Sequence, residues 1–253
     1  MFSIFKNYHN LVVAISEKKD GSMKFTGNIL KDKKILRQRK NFLNKLNINP
    51  ELVVNAELSH RDGIKVVEKK NRDKTVKKTD GLLTSEKNLF LAITVADCLP
   101  IFIFDFQKEI VGLVHGGWRG LSKDILFSAL QKLKREFKSN TKNILVGIGP
   151  GISKCHFEVN KRILRQFKYL PRNSISKRND KTFLDLKKIA QYQALGAGIK
   201  KQNIEINPDC TYCLKDKYFS FRRYKPKTLQ AMMAVIGIRE STIVVMAINV
   251  STL

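Results

Sequence analysis

Three residues of the types that ligate transition metals lie next to apolar, strand-like segments: His60, Cys98 and His115. Cys98 follows Asp97 at the end of one apolar segment, and His115 ends the next segment before a glycine-rich turn at 116–120. A thiolate with two imidazoles suits zinc or copper. Three protein ligands leave a fourth position open, as catalytic metal sites do. The spacing alone is a weak signal, because a histidine or cysteine at such positions is more often structural.

Two further residues beside His115 bear on binding. Arg119 lies just before Ser122, the expected N-cap of a helix, and a guanidinium beside free helix N–H groups makes an anion site. The alternative is a surface arginine paired with a carboxylate. Trp118 is the only tryptophan, and it either stacks on a planar substrate or packs in the core.

The remaining cysteines give weaker signals. Cys210 and Cys213 form a single CxxC pair, which suits redox chemistry, but no second pair completes a zinc site. Cys155 and His156 are adjacent, so on a strand their side chains would point apart and joint ligation is not expected. The glycines of segment 147–151 predict a tight turn bordering the site.

Mixed elements must position these residues. Segments rich in Ile, Val and Phe predict strands at 64–68, 90–95, 100–104, 110–115, 144–148, 204–206, 218–222 and 243–248. Helical spacing predicts helices at 122–137, capped by Ser122, and at 186–197, capped by Asp185 and stopped by Gly198. Because strands and helices do not alternate regularly, the pattern favours an α+β fold with mixed sheets flanked by helices in a single domain, residues 1–253.

Composition limits the class of protein. The chain has 253 residues, of which 43% are hydrophobic, so it can bury a substantial core. The longest apolar segments are strand-sized and the N-terminus shows no signal peptide pattern, so we expect a cytoplasmic protein without a membrane span. The four cysteines do not suggest a disulfide framework.

The formal net charge is +26. Such a field attracts phosphates and nucleic acid. The basic residues are nevertheless spread along the chain, and the clusters at 31–40 and 69–78 are typical of solvated faces. Nucleic acid is therefore not expected as the primary partner, although a non-catalytic, basic, anion-binding protein remains an alternative.

Five ordered segments resemble the successive motifs of the YfiH-like family, whose members are labelled multicopper polyphenol oxidase (laccase-like) or purine nucleoside phosphorylase. They are AITVADCLPIFIFD, VGLVHGGWRGL, VGIGPGISKCHFEV, FLDLKKIAQYQALGAGI and CTYCLKDKYFSFRR. The resemblance covers roughly residues 50–232, which would be the family core, with 237–253 as a C-terminal strand extension. The resemblance implies the family's α+β sandwich.

The resemblance also implies a zinc site at His60, Cys98 and His115, with copper as an alternative. It implies phosphorolysis of adenosine, inosine and S-methyl-5′-thioadenosine, with adenosine deamination as a second activity. The expected partners are then a nucleoside and phosphate, and the expected assembly is a monomer or weak homodimer. Arg119 would bind phosphate with Arg222 or Arg223 as helpers, and Asp97 would orient a ligand or transfer a proton.

This chain departs from the family pattern in two places. Leu58 and Ser59 precede His60 where the family has Gln and Val, and Leu229 and Gln230 stand where it has Gly and Arg.

Two other enzymatic functions are alternatives. Cys98 would be the nucleophile of an amide hydrolase editing peptidoglycan precursors, with His115 as base and Asp97 or His60 as its orienter. Laccase-like copper oxidation ranks lower, because four histidines are too few for a multicopper centre.

Overall fold

The structure is a computed structural model that describes residues 2–60, 62–225 and 229–240. The strands are β1 (Leu11–Ile15), β2 (Val53–Ala56), β3 (Ile64–Val66), β4 (Thr75–Val76), β5 (Gly81–Thr84), β6 (Phe90–Val95), β7 (Leu99–Asp105), β8 (Ile110–Gly116), β9 (Ile144–Ile148), β10 (Glu158–Val159), β11 (Ile175–Arg178), β12 (Lys181–Leu184), β13 (Ile204–Ile206) and β14 (Met232–Ile238). The α-helices are α1 (Ile29–Lys45), α2 (Trp118–Leu121), α3 (Ile125–Phe137), α4 (Lys161–Leu164), α5 (Leu186–Gly196) and α6 (Phe221–Tyr224). Short 3-10 helices lie at Ser3–Phe5, Lys18–Asp20, Pro50–Leu52, Lys69–Asn71, Thr141–Asn143 and Lys201–Asn203.

The strands form three sheets. A six-stranded sheet has the order β13-β9-β7-β8-β5-β3, a five-stranded sheet the order β1-β14-β6-β2-β4, and a small sheet the order β10-β12-β11. Both larger sheets are mixed: β7 pairs antiparallel with β8 and β9, whereas β13 pairs parallel with β9 and β2 with β6. This confirms the expected α+β fold with mixed sheets.

Alternation along the central strands builds a layered sandwich. In β7, Ile101 and Ile103 pack with α3 and α5, whereas Phe102 packs against the five-stranded sheet. In β14, Ala234 faces the six-stranded sheet, and Val235 packs towards α1. Because successive side chains of a strand point to opposite faces, both sheets are buried on both sides. The order of layers is α1, five-stranded sheet, six-stranded sheet, then α3 with α5.

Several predicted elements are confirmed in their bounds, including the strands at 90–95, 144–148 and 204–206. The helix predicted at 186–197 is α5, and the Asp185 side chain accepts from Lys188 N as its cap. The strand predicted at 218–222 is wrong, because Ser220 caps α6 and the chain turns there. The strand predicted at 243–248 lies outside the described residues.

The N-terminus of the helix predicted at 122–137 is also wrong. Ser122 Oγ donates to Arg119 O at 2.9 Å and caps nothing, and α3 begins only at Ile125. Asp124 precedes it in the left-handed conformation, with φ of 57° and no side-chain capping bond. Arg119 therefore belongs to the separate short helix α2 and does not adjoin the start of α3.

The basic segments lie on the outside of the sandwich. Segment 31–40 lies within α1, where Ile35 is buried and most of the lysines are exposed. This agrees with the interpretation of a solvated helix face. No helix in the described part of the chain is both long and apolar enough to cross a membrane.

Candidate active site

A cavity of about 350 Å³ opens where β7 begins and β8 ends. It is lined by His60, Ala96, Asp97, Cys98, His115, Gly117, Trp118, Arg119, Gly120, Ile152, Phe157, Leu186, Phe221, Arg222 and Leu229. The fold thus brings together the three residues predicted as metal ligands, although they lie far apart in the sequence. The cavity also collects most of the residues predicted to bind substrate.

Strand pairing places Cys98 beside His115. The antiparallel register of β7 and β8 sets Leu99 opposite Gly116 and Pro100 opposite His115. A Cβ added at Gly117 would lie 3.1 Å from Cys98 Sγ and 3.2 Å from His115 Cε1. The two side chains therefore flank the same small space, and a glycine at position 117 leaves that space open.

Asp80 is the residue that sequence reasoning missed. It is fully buried, and its Oδ1 lies 3.2 Å from His115 Nδ1. The same carboxylate accepts from His60 N at 2.9 Å and from Ser59 Oγ at 2.6 Å. Asp80 thus bonds the His115 ring at Nδ1 and the backbone N–H of His60. A carboxylate that bonds the ring of a metal-ligating histidine orients that ring in the same way. Ser59, a departure from the family pattern, is part of this arrangement.

The electrostatics of His115 reflect its two neighbours. Burial acts to lower its pKa, but the adjacent Cys98 sulfur and the Asp80 carboxylate outweigh burial and raise the pKa to about 9. Nearby negative charge favours the protonated imidazole in this way. The Cys98 and Asp80 groups thus favour a cation between them, whether a proton or a metal ion.

His60 is the third member of the trio and lines the same cavity. It is exposed, its backbone has φ of 55°, and its ring meets that of His115 edge-to-face with centroids 5.0 Å apart. Desolvation and the nearby His115 and Arg119 charges hold the pKa of His60 below its ordinary value. A neutral imidazole is the form that binds a metal.

The donor set fits a transition metal, because one sulfur and two imidazoles are ligands that zinc prefers. The trio is nevertheless open. Among the described residues, one group of at least three His, Cys, Asp or Glu side chains has its ligand atoms all within 4.8 Å of one another, and it is not this trio. Closing His60, Cys98 and His115 around an ion requires an approach by His60, the exposed member.

Asp97 supports the cavity from behind. It adopts φ of 82°, and its carboxylate accepts from Thr211 Oγ1 at 2.7 Å, Ser220 Oγ at 3.1 Å and Arg222 N at 2.7 Å. Because both carboxylate oxygens are engaged by neighbouring segments, the contacts favour a positioning role over proton transfer. Asp97 fixes the start of α6, which carries Arg222.

Trp118 and Arg119 form one side of the cavity. The Arg119 guanidinium lies over the Trp118 ring at 4.5 Å, and Arg119 is exposed. Trp118 also packs partly against the core beneath α3 and α5. Trp118 therefore both packs against the core and lines the cavity, so stacking on a planar substrate stays a prediction.

Arg222 and Arg223, which are adjacent in the sequence, have different surroundings. Arg222 lines the cavity, and its Nη1 donates to Glu158 O at 2.8 Å. Arg223 does not line it, because its guanidinium donates to the carbonyls of Thr211, Tyr212 and Tyr218. Arg223 instead holds the loop of the CxxC pair.

Leu229 lies on the cavity wall, whereas Gln230 lines a different pocket. These positions are the second departure from the family pattern. An apolar residue therefore closes this end of the cavity.

The CxxC pair has partners that the sequence analysis rejected. Cys155, His156, Cys210 and Cys213 lie together with all ligand atoms within 4.8 Å, so this group could hold a metal ion. The expectation that Cys155 and His156 diverge is wrong, because residues 154–156 form a turn and not a strand. A turn does not impose the alternation of side chains that a strand imposes.

Fold and cavity together define the laccase-like, YfiH-type class of proteins. The model of the family described as multi-copper polyphenol oxidoreductase laccase matches residues 22–239, and the chain belongs to this family. The match begins before and ends after the expected core at 50–232.

Relatives with assigned names are similar to this chain. It is 30% identical over 222 residues to the purine nucleoside phosphorylase YlmD of Bacillus subtilis, covering 83% of this chain and 80% of that protein. It is 31% identical over 162 residues to a purine nucleoside phosphorylase of Bacteroides thetaiotaomicron, covering 62% of this chain and 60% of that protein. The crystal structure of YlmD from Geobacillus stearothermophilus superposes with a TM-score of 0.87 at 28% identity, covering 93% and 94% of the two chains.

Proposed function

We propose that this protein is a purine nucleoside phosphorylase acting on adenosine, inosine and S-methyl-5′-thioadenosine, with zinc at His60, Cys98 and His115 and a second, adenosine deaminase activity. The observation that carries the proposal is the convergence of this trio, Trp118 and two arginines on one cavity. Its volume, about 350 Å³, is in the range of small-molecule sites. The names of the relatives support the same activity.

Phosphorolysis breaks the bond between C1′ of the ribose and the purine nitrogen, while a phosphate oxygen bonds to C1′. The base leaves with the electron pair of the broken bond and takes up a proton. Arg119 and Arg222 would bind the phosphate, since guanidinium groups match phosphate oxygens in charge and geometry. Trp118 offers a planar surface for the purine.

Cys98, His60 and His115 would hold the zinc ion, with Asp80 orienting His115. A zinc ion bound there supplies Lewis-acid chemistry, which deamination at a purine carbon needs. Cys98 would then serve as a ligand and not as a nucleophile.

The test uses zinc-loaded protein with adenosine or inosine, with and without phosphate. We expect ribose 1-phosphate and free base only when phosphate is present, and ammonia from adenosine in either case. His115→Ala should lose the zinc ion held by the trio and both activities, whereas the exposed His9→Ala control should keep them. If zinc-loaded protein leaves these nucleosides intact, the proposal is wrong.

A second candidate is a thiol hydrolase of amide bonds, as in peptidoglycan precursors. One observation favours it: His115 lies between Cys98 and Asp80, which is the order of a nucleophile, base and orienting carboxylate. Asp80 takes the role that was assigned to Asp97 or His60. Zinc bound tightly at Cys98 argues against this candidate, because a ligated thiolate is a poor nucleophile.

Laccase-like copper oxidation has less support. Of the four histidines, only His60 and His115 line the cavity, His156 lies in the separate cysteine cluster and His9 is exposed. Two imidazoles do not supply the histidine-rich ligands of a multicopper centre.

A further inference from the structure

The cluster of Cys155, His156, Cys210 and Cys213 is separate from the cavity trio. Cys155 Sγ lies 3.5 Å from Cys210 Sγ and 3.6 Å from Cys213 Sγ. His156 Nδ1 lies 3.2 Å from Cys155 Sγ and 3.3 Å from Cys213 Sγ. The cluster joins the turn after β9 to the loop before α6.

These separations match the edges of a small tetrahedron. With Zn–S near 2.3 Å and Zn–N near 2.0–2.1 Å, a tetrahedral site has S–S edges of about 3.8 Å and S–N edges of about 3.6 Å. The observed S–S separations of 3.5 and 3.6 Å are shorter by only a few tenths of an ångström. Little side-chain movement would therefore admit an ion.

Surrounding contacts fix the ligands in place. The Tyr212 ring stacks on the His156 imidazole with centroids 4.0 Å apart and planes 15° apart. Ser153 N donates to Cys210 Sγ at 3.3 Å, and Arg178 Nη2 donates to Cys155 O at 2.8 Å. Such support from outside the ligand set is what holds ligands in position before an ion binds.

The charges nearby suit thiolates. A Cys3His site with Zn²⁺ carries one net negative charge. Lys187 is buried beneath the cluster, donates to Asn207 O and Asp209 O, and interacts electrostatically with Cys210 and Cys155. A buried cation beside the cluster offsets the charge that burial would otherwise penalise.

We propose that Cys155, His156, Cys210 and Cys213 form a second, structural zinc site, distinct from the site of the proposed nucleoside chemistry. Four protein ligands close the coordination sphere, which is the arrangement of structural zinc and leaves no position for substrate. The ion clamps two segments of the cavity wall together. Phe157 follows the first pair of ligands, and Thr211, which bonds Asp97, lies between the second pair.

The test counts zinc in full-length protein purified under reducing conditions. We expect two zinc ions per chain for the wild type and one for Cys155→Ser/Cys213→Ser. Cys98→Ser/His115→Ala, a matched pair of substitutions in the cavity, should also leave one ion, held by the cluster. Each double variant removes ligands from one site only. An absence of zinc at the cavity trio therefore does not count for or against zinc binding by the cluster.

Cobalt provides a second readout that does not depend on activity. Co²⁺ in the Cys98→Ser/His115→Ala protein should give the intense visible absorption of tetrahedral thiolate coordination, and Cys155→Ser/Cys213→Ser should lose most of it. If the cysteine double variant does not fold, His156→Cys should fold, keep zinc and give the cobalt spectrum of four thiolates.

Two results would overturn the proposal. One is equal zinc content and equal cobalt absorption in the wild type and Cys155→Ser/Cys213→Ser. The other is a disulfide between cluster cysteines in the reduced, zinc-supplied protein, which would assign the cluster to redox chemistry instead.

Discussion

At the scale of single residues, Asp80 is the side chain that connects the predicted metal ligands. It bonds His115 through the ring and His60 through the backbone, and so connects two predicted metal ligands to one carboxylate. The local sequence carries little signal for this role, because Asp80 simply precedes a buried strand and lies 20 and 35 positions from its partners.

We expect Asp80→Asn to weaken zinc binding at the trio by about 10- to 100-fold, the usual cost of losing a carboxylate behind a ligating histidine. Competition with a chromophoric chelator measures this. The control is Asp105→Asn, since Asp105 is equally buried but lies at the far end of β7. Unchanged affinity in Asp80→Asn would show that Asp80 does not orient the ligand.

Arg119→Ala tests phosphate binding. A lost charge-assisted hydrogen bond costs about 1.5–3 kcal/mol, so we expect the KM for phosphate to rise about 10- to 100-fold with a smaller change in the KM for nucleoside. Steady-state kinetics at varied phosphate provides the measurement, and Arg135→Ala on the exposed side of α3 serves as the control. An equal rise for both substrates would assign Arg119 a general structural role.

Sequence reasoning leads to residues of this cavity where a residue type has a characteristic chemistry. Cys98, His115 and Arg119 were found because their types are reactive and follow apolar strands, and all three line the cavity. The sequence argument against Cys155 and His156 as joint ligands fails because it treats them as part of a strand, whereas the chain turns there. The error therefore comes from the local backbone, not from the ligand chemistry.

At the scale of elements, Gln193 connects α5 to α2 and α3. Its Nε2 donates to Leu121 O at 2.6 Å, and its Oε1 accepts from Leu126 N at 3.2 Å. Since α2 carries Trp118 and Arg119, this buried amide helps to position one side of the cavity. The bonds take the place of a side-chain cap at the start of α3.

We expect Gln193→Ala to lower the free energy of unfolding by about 1–3 kcal/mol, because a buried N–H and C=O lose their partner. Urea denaturation measures the loss. Gln191→Ala, two positions away and only partly buried, should change stability far less. Equal effects of the two substitutions would indicate a loss of helix packing and not of these bonds.

Asp20 anchors α1 to the Lys18–Asp20 helix. Its carboxylate accepts from Lys45 Nζ at 2.8 Å and from Glu17 N at 2.9 Å. Partial burial acts to raise its pKa, but these hydrogen bonds, with the Lys45 charge, hold the pKa below the ordinary 3.8. A lowered carboxyl pKa stabilises the folded state above 3.8, and this stability is lost as pH falls through the folded-state pKa.

We therefore expect Asp20→Asn to be less stable than wild type by about 0.5–1 kcal/mol at neutral pH. The difference should shrink below pH 3.8, as Asp20 becomes protonated in the wild type. Thermal melts across this range measure it. A difference that stays constant with pH would mean that the charge of Asp20 contributes nothing.

Strands dense in β-branched residues, such as β6, β9 and β13, could be predicted with correct bounds. In contrast, the β-branched residues of β14 are interspersed with Met, Ala and Gly, and the sequence pattern does not predict this strand. It forms because it pairs with β1 and β6, which lie more than a hundred positions earlier in the sequence. A pattern read from neighbouring residues alone does not contain this information.

At the scale of the whole molecule, the net charge of +26 sets the response to salt. Like charges on a compact chain repel one another, and salt screens them over about 10 Å at 0.1 M. We expect the melting temperature to rise as ionic strength increases from low values. Scanning calorimetry measures it, and a melting temperature that falls with salt would mean that attractive ion pairs dominate.

The position of β14 between β1 and β6 in the five-stranded sheet has a consequence for synthesis on the ribosome. Its neighbours β1 and β6 are made long before it, and both must wait with an open edge for a strand that ends at Ile238. Exposed strand edges pair readily with other chains, and late long-range pairing slows folding. A nascent chain of this protein therefore exposes the unpaired edges of β1 and β6 until β14 has been made, and a chaperone that covers these edges during that interval would limit their pairing with other chains.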